Sequence, residues 1–92
     1  MPEKNIDLKS KKLLFDTLTS MNQNAIPDLL SSIMSSSEIK DLSRRLMAAK
    51  LMKNDHTYED IVDIMGMSEG TVNKIHFKTK GSPIVIKLFN KD

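Results

Sequence analysis

Apolar residues recur at helical spacing along most of this 92-residue chain. Steps of three and four residues between apolar positions place them on one face of an α-helix. Polar or helix-breaking segments interrupt the pattern at 22–24, 35–37, 54–56 and 81–82. We therefore predict an all-α fold of about six helices, over 8–21, 26–34, 36–53, 57–65, 68–78 and from 83 onward. The last segment, 83–92, contains a β-branched run that is also compatible with a strand.

The stretch from Thr57 to Lys78 has the pattern of a helix-turn-helix. Thr57 and Asp60 have the spacing of a capping box, which begins a helix. Gly66 can adopt the left-handed conformation of a tight turn, and Ser68 can cap the helix that follows. The positions expected to face inward are all apolar: Ile61, Val62, Met65, Met67, Val72 and Ile75. A motif of this kind places its second helix in the major groove of DNA.

The residues expected to face outward have side chains that suit DNA. Asn73 can pair with adenine, Lys74 can reach guanine acceptors or phosphate, and the methyl group of Thr71 can touch a thymine methyl. Contacts that position the phosphate backbone are expected from Thr57, Tyr58, Ser68, Gly70 and Lys78. The alternative is a helical hairpin that only packs, in which Tyr58 is a packing residue.

Charge is distributed unevenly along the chain, although the net charge is only +2. Residues 1–34 are balanced, and residues 35–67 carry five basic against six acidic side chains. Residues 68–92 carry five lysines against two acidic residues, a net charge of +3. The basic part of the chain begins with the second helix of the motif, which favours an anionic partner at this end. A solvated basic tail would explain the same count.

The amino-acid composition argues against several other classes of protein. The chain has no cysteine, no apolar run long enough to span a bilayer and a polar N-terminus, so we expect a cytoplasmic protein that does not enter a membrane. The two histidines stand alone, and we find no catalytic arrangement; we predict no metal site and no enzyme activity. The core must be built from Leu, Ile and Met, because aromatic residues make up only 4% of the chain. A small core of this kind favours a fold that is stabilised by contact with a second subunit.

Five segments between residues 35 and 83 form a further pattern: Ser35–Glu38, Leu42–Arg45, Lys53–Ile61, Gly66–Val72 and Lys80–Pro83. Together they give the chain a resemblance to the Trp repressor family. It implies an all-α fold with a helix-turn-helix and an intertwined homodimer that binds palindromic double-stranded DNA. The length of 92 residues suggests one domain over 1–92. Residues 1–34 would form the dimerisation helices, 35–80 the DNA-binding core with the motif at 57–78, and 83–92 a short C-terminal segment.

The resemblance also bears on a small-molecule effector. Tryptophan-responsive members of the family have one Arg on the helix before the motif and an Arg-Gly pair within the second helix of the motif. Arg45 matches the first Arg, whereas Lys74 and Ile75 stand where the Arg-Gly pair would be. Arg45 and Lys74 are therefore the candidate ligand-binding residues, and tryptophan is a possible co-repressor. Lysine lacks the planar fork of arginine, and Ile75 would fill the space that glycine leaves open. We expect a different ligand or no cofactor.

The two arginines on the helix before the motif can also be explained without a role in binding. Arg45 lies four residues after Asp41, so a surface ion pair on one helix would account for it. Arg44 projects about 100° further round that helix, and we expect it to be solvated.

We predict a sequence-specific DNA-binding transcriptional regulator, a repressor that inserts helix 68–78 into the major groove as a homodimer. The alternative is a small helical protein–protein interaction module with a vestigial helix-turn-helix. A third possibility is a DNA-binding piece of a larger complex.

Overall fold

The computed structural model of the chain describes residues 1–90. This part of the chain is all-helical, with six α-helices, a short 3₁₀ turn and no strand. The helices are α1 (Ile6–Ser20), α2 (Ile26–Ile33), α3 (Ser36–Lys53), α4 (Tyr58–Met65), α5 (Glu69–Thr79) and α6 (Pro83–Phe89), with the 3₁₀ turn at Gln23–Ala25. The predicted all-α class is confirmed. The helical alternative for the C-terminal segment is correct and the strand alternative is wrong. Residues 91–92 of that segment lie outside the described residues.

Local sequence explains where most of these helices begin and end. Asn22 accepts a hydrogen bond from the backbone N–H of Asn24 at 2.9 Å, which forms the 3₁₀ turn after α1. Pro27 lies in the first turn of α2, where its missing N–H leaves no helix hydrogen bond unmade. The hydroxyl of Ser82 accepts from the N–H of Val85 at 3.4 Å and caps α6, whose first residue is Pro83. The cap and the proline together favour helix over strand despite the β-branched residues.

The chain divides into two compact units, residues 1–36 and residues 37–92. In the first unit, all of whose residues are described, none is buried. Large apolar side chains of α1 are exposed to solvent, among them Leu8 at 69% and Phe15 at 53%. A unit without a buried residue gains little from the hydrophobic effect on its own, because that gain scales with the apolar area removed from water.

The core of the second unit is small and lies where α3, α4 and α5 meet. Its buried residues are Ala48, Ala49, Ile61, Val72 and Ile75. Half-buried apolar side chains surround them: Leu51, Met52, Val62, Met65, Met67 and Val85. The inward positions predicted for Ile61, Val72 and Ile75 are confirmed.

The sequence places Ile39, Leu42, Leu46 and Ala49 on one apolar stripe of α3, and this stripe is fully buried only at Ala49. Leu42 and Leu46 are about half exposed, whereas Ala48 and Ala49 are buried. The longer leucines of that helix remain outside the core. The periodicity of α3 alone does not show which part of its apolar stripe is covered.

Candidate nucleic-acid interface

The first helix of the motif begins at the predicted capping box. The hydroxyl of Thr57 accepts from the N–H of Asp60 at 3.1 Å, and the carboxylate of Asp60 accepts from the N–H of Thr57 at 3.1 Å. The two bonds satisfy two of the N–H groups that the start of a helix leaves unpaired. The start of α4 is therefore fixed by its own sequence, and with it the position of the neighbouring Tyr58.

The turn between α4 and α5 depends on Gly66. This residue has φ 64° and ψ 34°, the left-handed conformation expected for it, and its N–H donates to the carbonyl of Val62 at 2.9 Å. The chain therefore leaves α4 sharply and reaches Ser68, the cap of α5, two residues later.

Arg44 caps the C-terminal end of α4. Our expectation that Arg44 is solvated is wrong. Its guanidinium is half-buried and donates a hydrogen bond to the carbonyl of Met65, the last residue of α4. A cation at this position also interacts favourably with the negative end of the helix dipole. The contact ties α3 to the turn of the motif across 21 residues of sequence.

The start of α5 contains two linked hydroxyl groups. Ser68 Oγ accepts from the N–H of Thr71 at 3.2 Å and lies 3.0 Å from Thr71 Oγ1. Their mutual hydrogen bond uses one of the two hydroxyl protons, which leaves the other able to donate to an outside acceptor. A Cβ at the neighbouring Gly70 would meet only Ser68 Oγ, at 3.9 Å, so the surface over this helix turn is open.

The eight residues predicted to contact DNA all have exposed side chains or, for Gly70, an exposed backbone: Thr57, Tyr58, Ser68, Gly70, Thr71, Asn73, Lys74 and Lys78. Six of them lie on α5 or at its cap. That helix buries Val72 and Ile75 and turns Asn73 and Lys74 to solvent. The structure thus gives α5 one apolar side that packs and one polar, basic side that is accessible.

One contact within this surface was not anticipated. The hydroxyl of Tyr58 donates to Asn73 Oδ1 at 3.3 Å, and the Tyr58 ring lies edge-on to His76, with 5.5 Å between the ring centroids. His76 in turn meets the ring of Phe77 at 5.6 Å, and Lys80 Nζ lies 4.5 Å from the centroid of that ring. No spacing rule links Tyr58 with residues 15 to 18 positions later, so the sequence carried no signal for this group.

The two candidate ligand-binding residues line one cleft of about 570 Å³ in the second unit. Arg45 reaches it from α3, and Lys74 and Lys78 reach it from α5. The rest of the lining comes from Leu46, Ala49, Thr71, Ile75, Thr79 and Val85. The cleft combines an apolar floor with three cations, which suits an anionic group. Thr71, Lys74 and Lys78 belong both to this lining and to the surface predicted to meet DNA.

Two further features of residues 1–90 concern other kinds of site. None of the helices in this range has the length and apolar character needed to cross a membrane. Within the same range, no group of three His, Cys, Asp or Glu side chains is placed to hold a metal ion.

An all-helical fold with a capped, exposed helix-turn-helix is the arrangement found in helix-turn-helix DNA-binding regulators. Comparison with known families agrees: a family model described as Trp repressor protein matches residues 9–81, most of the chain. The chain belongs to the Trp repressor family, which confirms the resemblance seen in the sequence. The matched region extends that resemblance toward the N-terminus, through α2 and most of α1. Members of this family are regulators rather than enzymes. No curated protein and no solved structure shows a significant match.

Proposed function

We propose that this protein is a cytoplasmic, sequence-specific repressor that occupies a two-fold-symmetric operator as a homodimer. Each protomer inserts α5 into the major groove, with Thr71, Asn73 and Lys74 at the base edges. The remaining contacts go to phosphates and come from Thr57, Tyr58, Ser68, Gly70 and Lys78. The observation that carries the proposal is the division of α5 into a buried apolar side and an accessible polar side.

The chemistry of the accessible side supports contact with DNA. Lys74 and Lys78 supply cations along the helix, and the N-terminus of α5 adds the positive end of its dipole close to the Ser68–Thr71 hydroxyl pair. Asn73 and Thr71 supply an amide and a methyl group, which distinguish bases in the major groove. Phosphate contacts alone would give affinity without specificity, so the mixture favours sequence-specific binding.

The first unit supports the homodimer. It has no buried residue, and α1 exposes Leu8, Leu13 and Phe15 together with other apolar side chains. Exposed apolar area of this extent marks an interaction surface. A second copy of the chain that covers it would also supply the two recognition helices that a symmetric operator requires.

The residues that line the cleft beside α5 indicate whether tryptophan is an effector of this protein. Lys74 offers a point charge in place of a planar guanidinium, and Ile75 is only 8% exposed and forms part of the cleft wall. We propose that the protein binds its operator without tryptophan. Addition of tryptophan at millimolar concentration should leave the operator dissociation constant unchanged, and a tenfold or larger tightening would contradict this.

The decisive experiment is selection of bound sequences from random double-stranded DNA by the purified full chain. We expect an enriched site with two-fold symmetry. Affinity for that site should then fall by about 10³–10⁵ between 50 and 200 mM salt, as for roughly 6–10 phosphate contacts per dimer. No enrichment, or a flat salt response, would overturn the proposal.

Two lysine variants separate base reading from phosphate contact. Lys78→Ala should weaken binding to all sequences and lower the salt slope by about one for each protomer. Lys74→Ala should instead relax base preference at one position of each half-site. Lys87→Ala removes the same charge from α6 and is the matched control. Equal effects of all three substitutions would mean that only net charge matters.

The alternative is a protein–protein interaction module with a vestigial helix-turn-helix. The exposed apolar residues of α6 favour it, since Ile84 and Leu88 are both about 60% exposed. Asn73→Ala discriminates the two functions. The change should remove base preference at one position of each half-site in a repressor, whereas a module should retain its protein partner and its cellular effect.

A further inference from the structure

Two cations of α3 donate to backbone carbonyls at the ends of the two helices of the motif. Arg44 donates to the carbonyl of Met65, the last residue of α4. Lys53 Nζ donates to the carbonyl of Lys80, the C-cap of α5, at 3.3 Å. The last carbonyls of a helix have no partner within that helix, so a donor from a neighbouring element satisfies them. One helix therefore contacts the C-terminal ends of both α4 and α5.

Burial distinguishes these two cations from their neighbours on α3. Arg44 and Lys53 are half-buried, whereas Arg45 and Lys50 are exposed. A cation at the C-terminal end of a helix also interacts favourably with the helix dipole, most strongly where the site is partly buried. Lys50 and Lys53 both lie in the last turn of α3. Their effect on the end of α3 itself is therefore shared, and the contact with α5 is particular to Lys53.

The arrangement of α4 and α5 matters because both helices contribute to the proposed interface with DNA. Thr57 and Tyr58 lie at the start of α4, and the other proposed contacts lie on α5 or at its cap. Contacts from two helices reach one duplex together only when the angle between those helices is held. The buried core where α3, α4 and α5 meet consists of five residues, two of them alanines. Alanine buries little apolar area, so polar contacts between these helices carry more weight.

We propose that Arg44 and Lys53 are positioning residues for operator binding. They hold the carbonyl ends of α4 and α5 against α3 and do not contact DNA themselves. Loss of either contact lowers the population of the arrangement that binds, and the observed affinity falls by the same factor. The inference rests on the proposed DNA-binding function and deepens it.

Hydrogen exchange tests the two contacts without DNA. Arg44→Met and Lys53→Met remove the donor and keep an apolar stem. The N–H groups of Gly66 and Lys80 donate within the last turns of α4 and α5, at 2.9 and 2.8 Å. Arg44→Met should speed exchange at Gly66 by roughly three- to tenfold, about the worth of one hydrogen bond, and leave Lys80 unchanged. Lys53→Met should do the reverse. Equal acceleration at both sites, or none, would overturn the proposal.

Binding to DNA tests the positioning role. Each Met variant should weaken operator binding by roughly three- to tenfold and leave the salt slope unchanged, because no phosphate contact is lost. Affinity for an unrelated duplex should change only as much as in Lys50→Met, which removes the same charge from an exposed site of α3. Arg44→Lys and Lys53→Arg retain a cationic donor and should restore operator affinity toward the wild-type value.

The outcomes separate positioning from the other roles of a cation. A salt slope lowered by about one for each protomer would make the residue a phosphate contact and overturn the proposal. Unchanged operator affinity in a folded variant would leave only a contribution to stability and would also overturn it. Should Arg44→Met fail to fold, Lys53→Met provides the same test at an exposed contact. If the wild-type chain enriches no sequence, the proposed function fails, whereas the exchange rates still report whether the two contacts form.

Discussion

Replacement of Gly66 by alanine should destabilise the helix-turn-helix through the backbone alone. Gly66 has φ 64° and ψ 34°, where the Cβ of an L-residue crowds the following carbonyl oxygen at a cost of about 1–2 kcal/mol. A Cβ built at this position meets nothing within 4 Å, so packing adds no further clash and no new contact. We therefore expect Gly66→Ala to lower the free energy of unfolding by about 1–2 kcal/mol, less the gain that alanine brings by reducing the conformational entropy of the unfolded chain.

Gly81 provides a matched control of opposite sign. A Cβ at Gly81 also meets nothing within 4 Å, but this residue does not have a positive φ. Gly81→Ala should stabilise the fold by about 0.4–1 kcal/mol, because alanine reduces the conformational entropy of the unfolded chain. The two variants make the same chemical change, so the unfolded-state effect is common to both and they should differ by the strain at Gly66, about 1–2 kcal/mol.

Thermal and urea unfolding followed by far-ultraviolet circular dichroism measure this difference. For a domain of this size, 1 kcal/mol corresponds to a shift in Tm of about 4–8 °C, so the two variants should be readily separated. Gly66→Asn should lose less than Gly66→Ala, since asparagine tolerates the left-handed conformation better. Equal stability of Gly66→Ala and Gly81→Ala would refute the reasoning, because the turn would then not require a left-handed residue.

Three further predictions follow from the same structure. Gly70→Ala should raise stability by up to about 1 kcal/mol, as expected within a helix, yet weaken operator binding; unchanged affinity would show that DNA does not approach this backbone closely. Ile61→Ala should cost about 2–5 kcal/mol because Ile61 is fully buried, whereas Ile64→Ala on the same helix, 58% exposed, should cost far less; similar losses in urea unfolding would contradict the core described above. Phe15→Glu should shift the sedimentation coefficient toward that of the monomer, because the new charge would lie in the dimer interface. A molar mass equal to that of the wild-type dimer would argue against α1 as the dimer surface.

The local structure of the motif could be predicted from the sequence because short-range chemistry decides it. Thr57 with Asp60, the glycine at position 66 and the cap at Ser68 each act on backbone groups within four residues. The hydrogen bonds of such caps and turns are complete within the local segment, whatever lies around it. The same reasoning correctly placed the start of α2 at Ile26 and the start of α6 at Pro83.

The contacts between helices could not be predicted in this way. Helical periodicity placed Leu42, Leu46 and Ala49 on one apolar stripe of α3, but of these only Ala49 is buried, and Ala48 beside the stripe is buried as well. A periodic pattern shows that a face is apolar and does not show which partner covers it. In the first unit the same limit is more evident, since α1 has an apolar pattern and no buried residue.

The sequence by itself determined the helices, the helix-turn-helix and the basic character of α5, because propensity, capping and charge are properties of short segments. Only the tertiary structure joined Arg44 to the carbonyl of Met65 and Tyr58 to Asn73. Each of these pairs links different helices, over 15 to 21 residues of sequence. Such contacts depend on how the helices pack and how far each side chain reaches, which residue spacing does not encode.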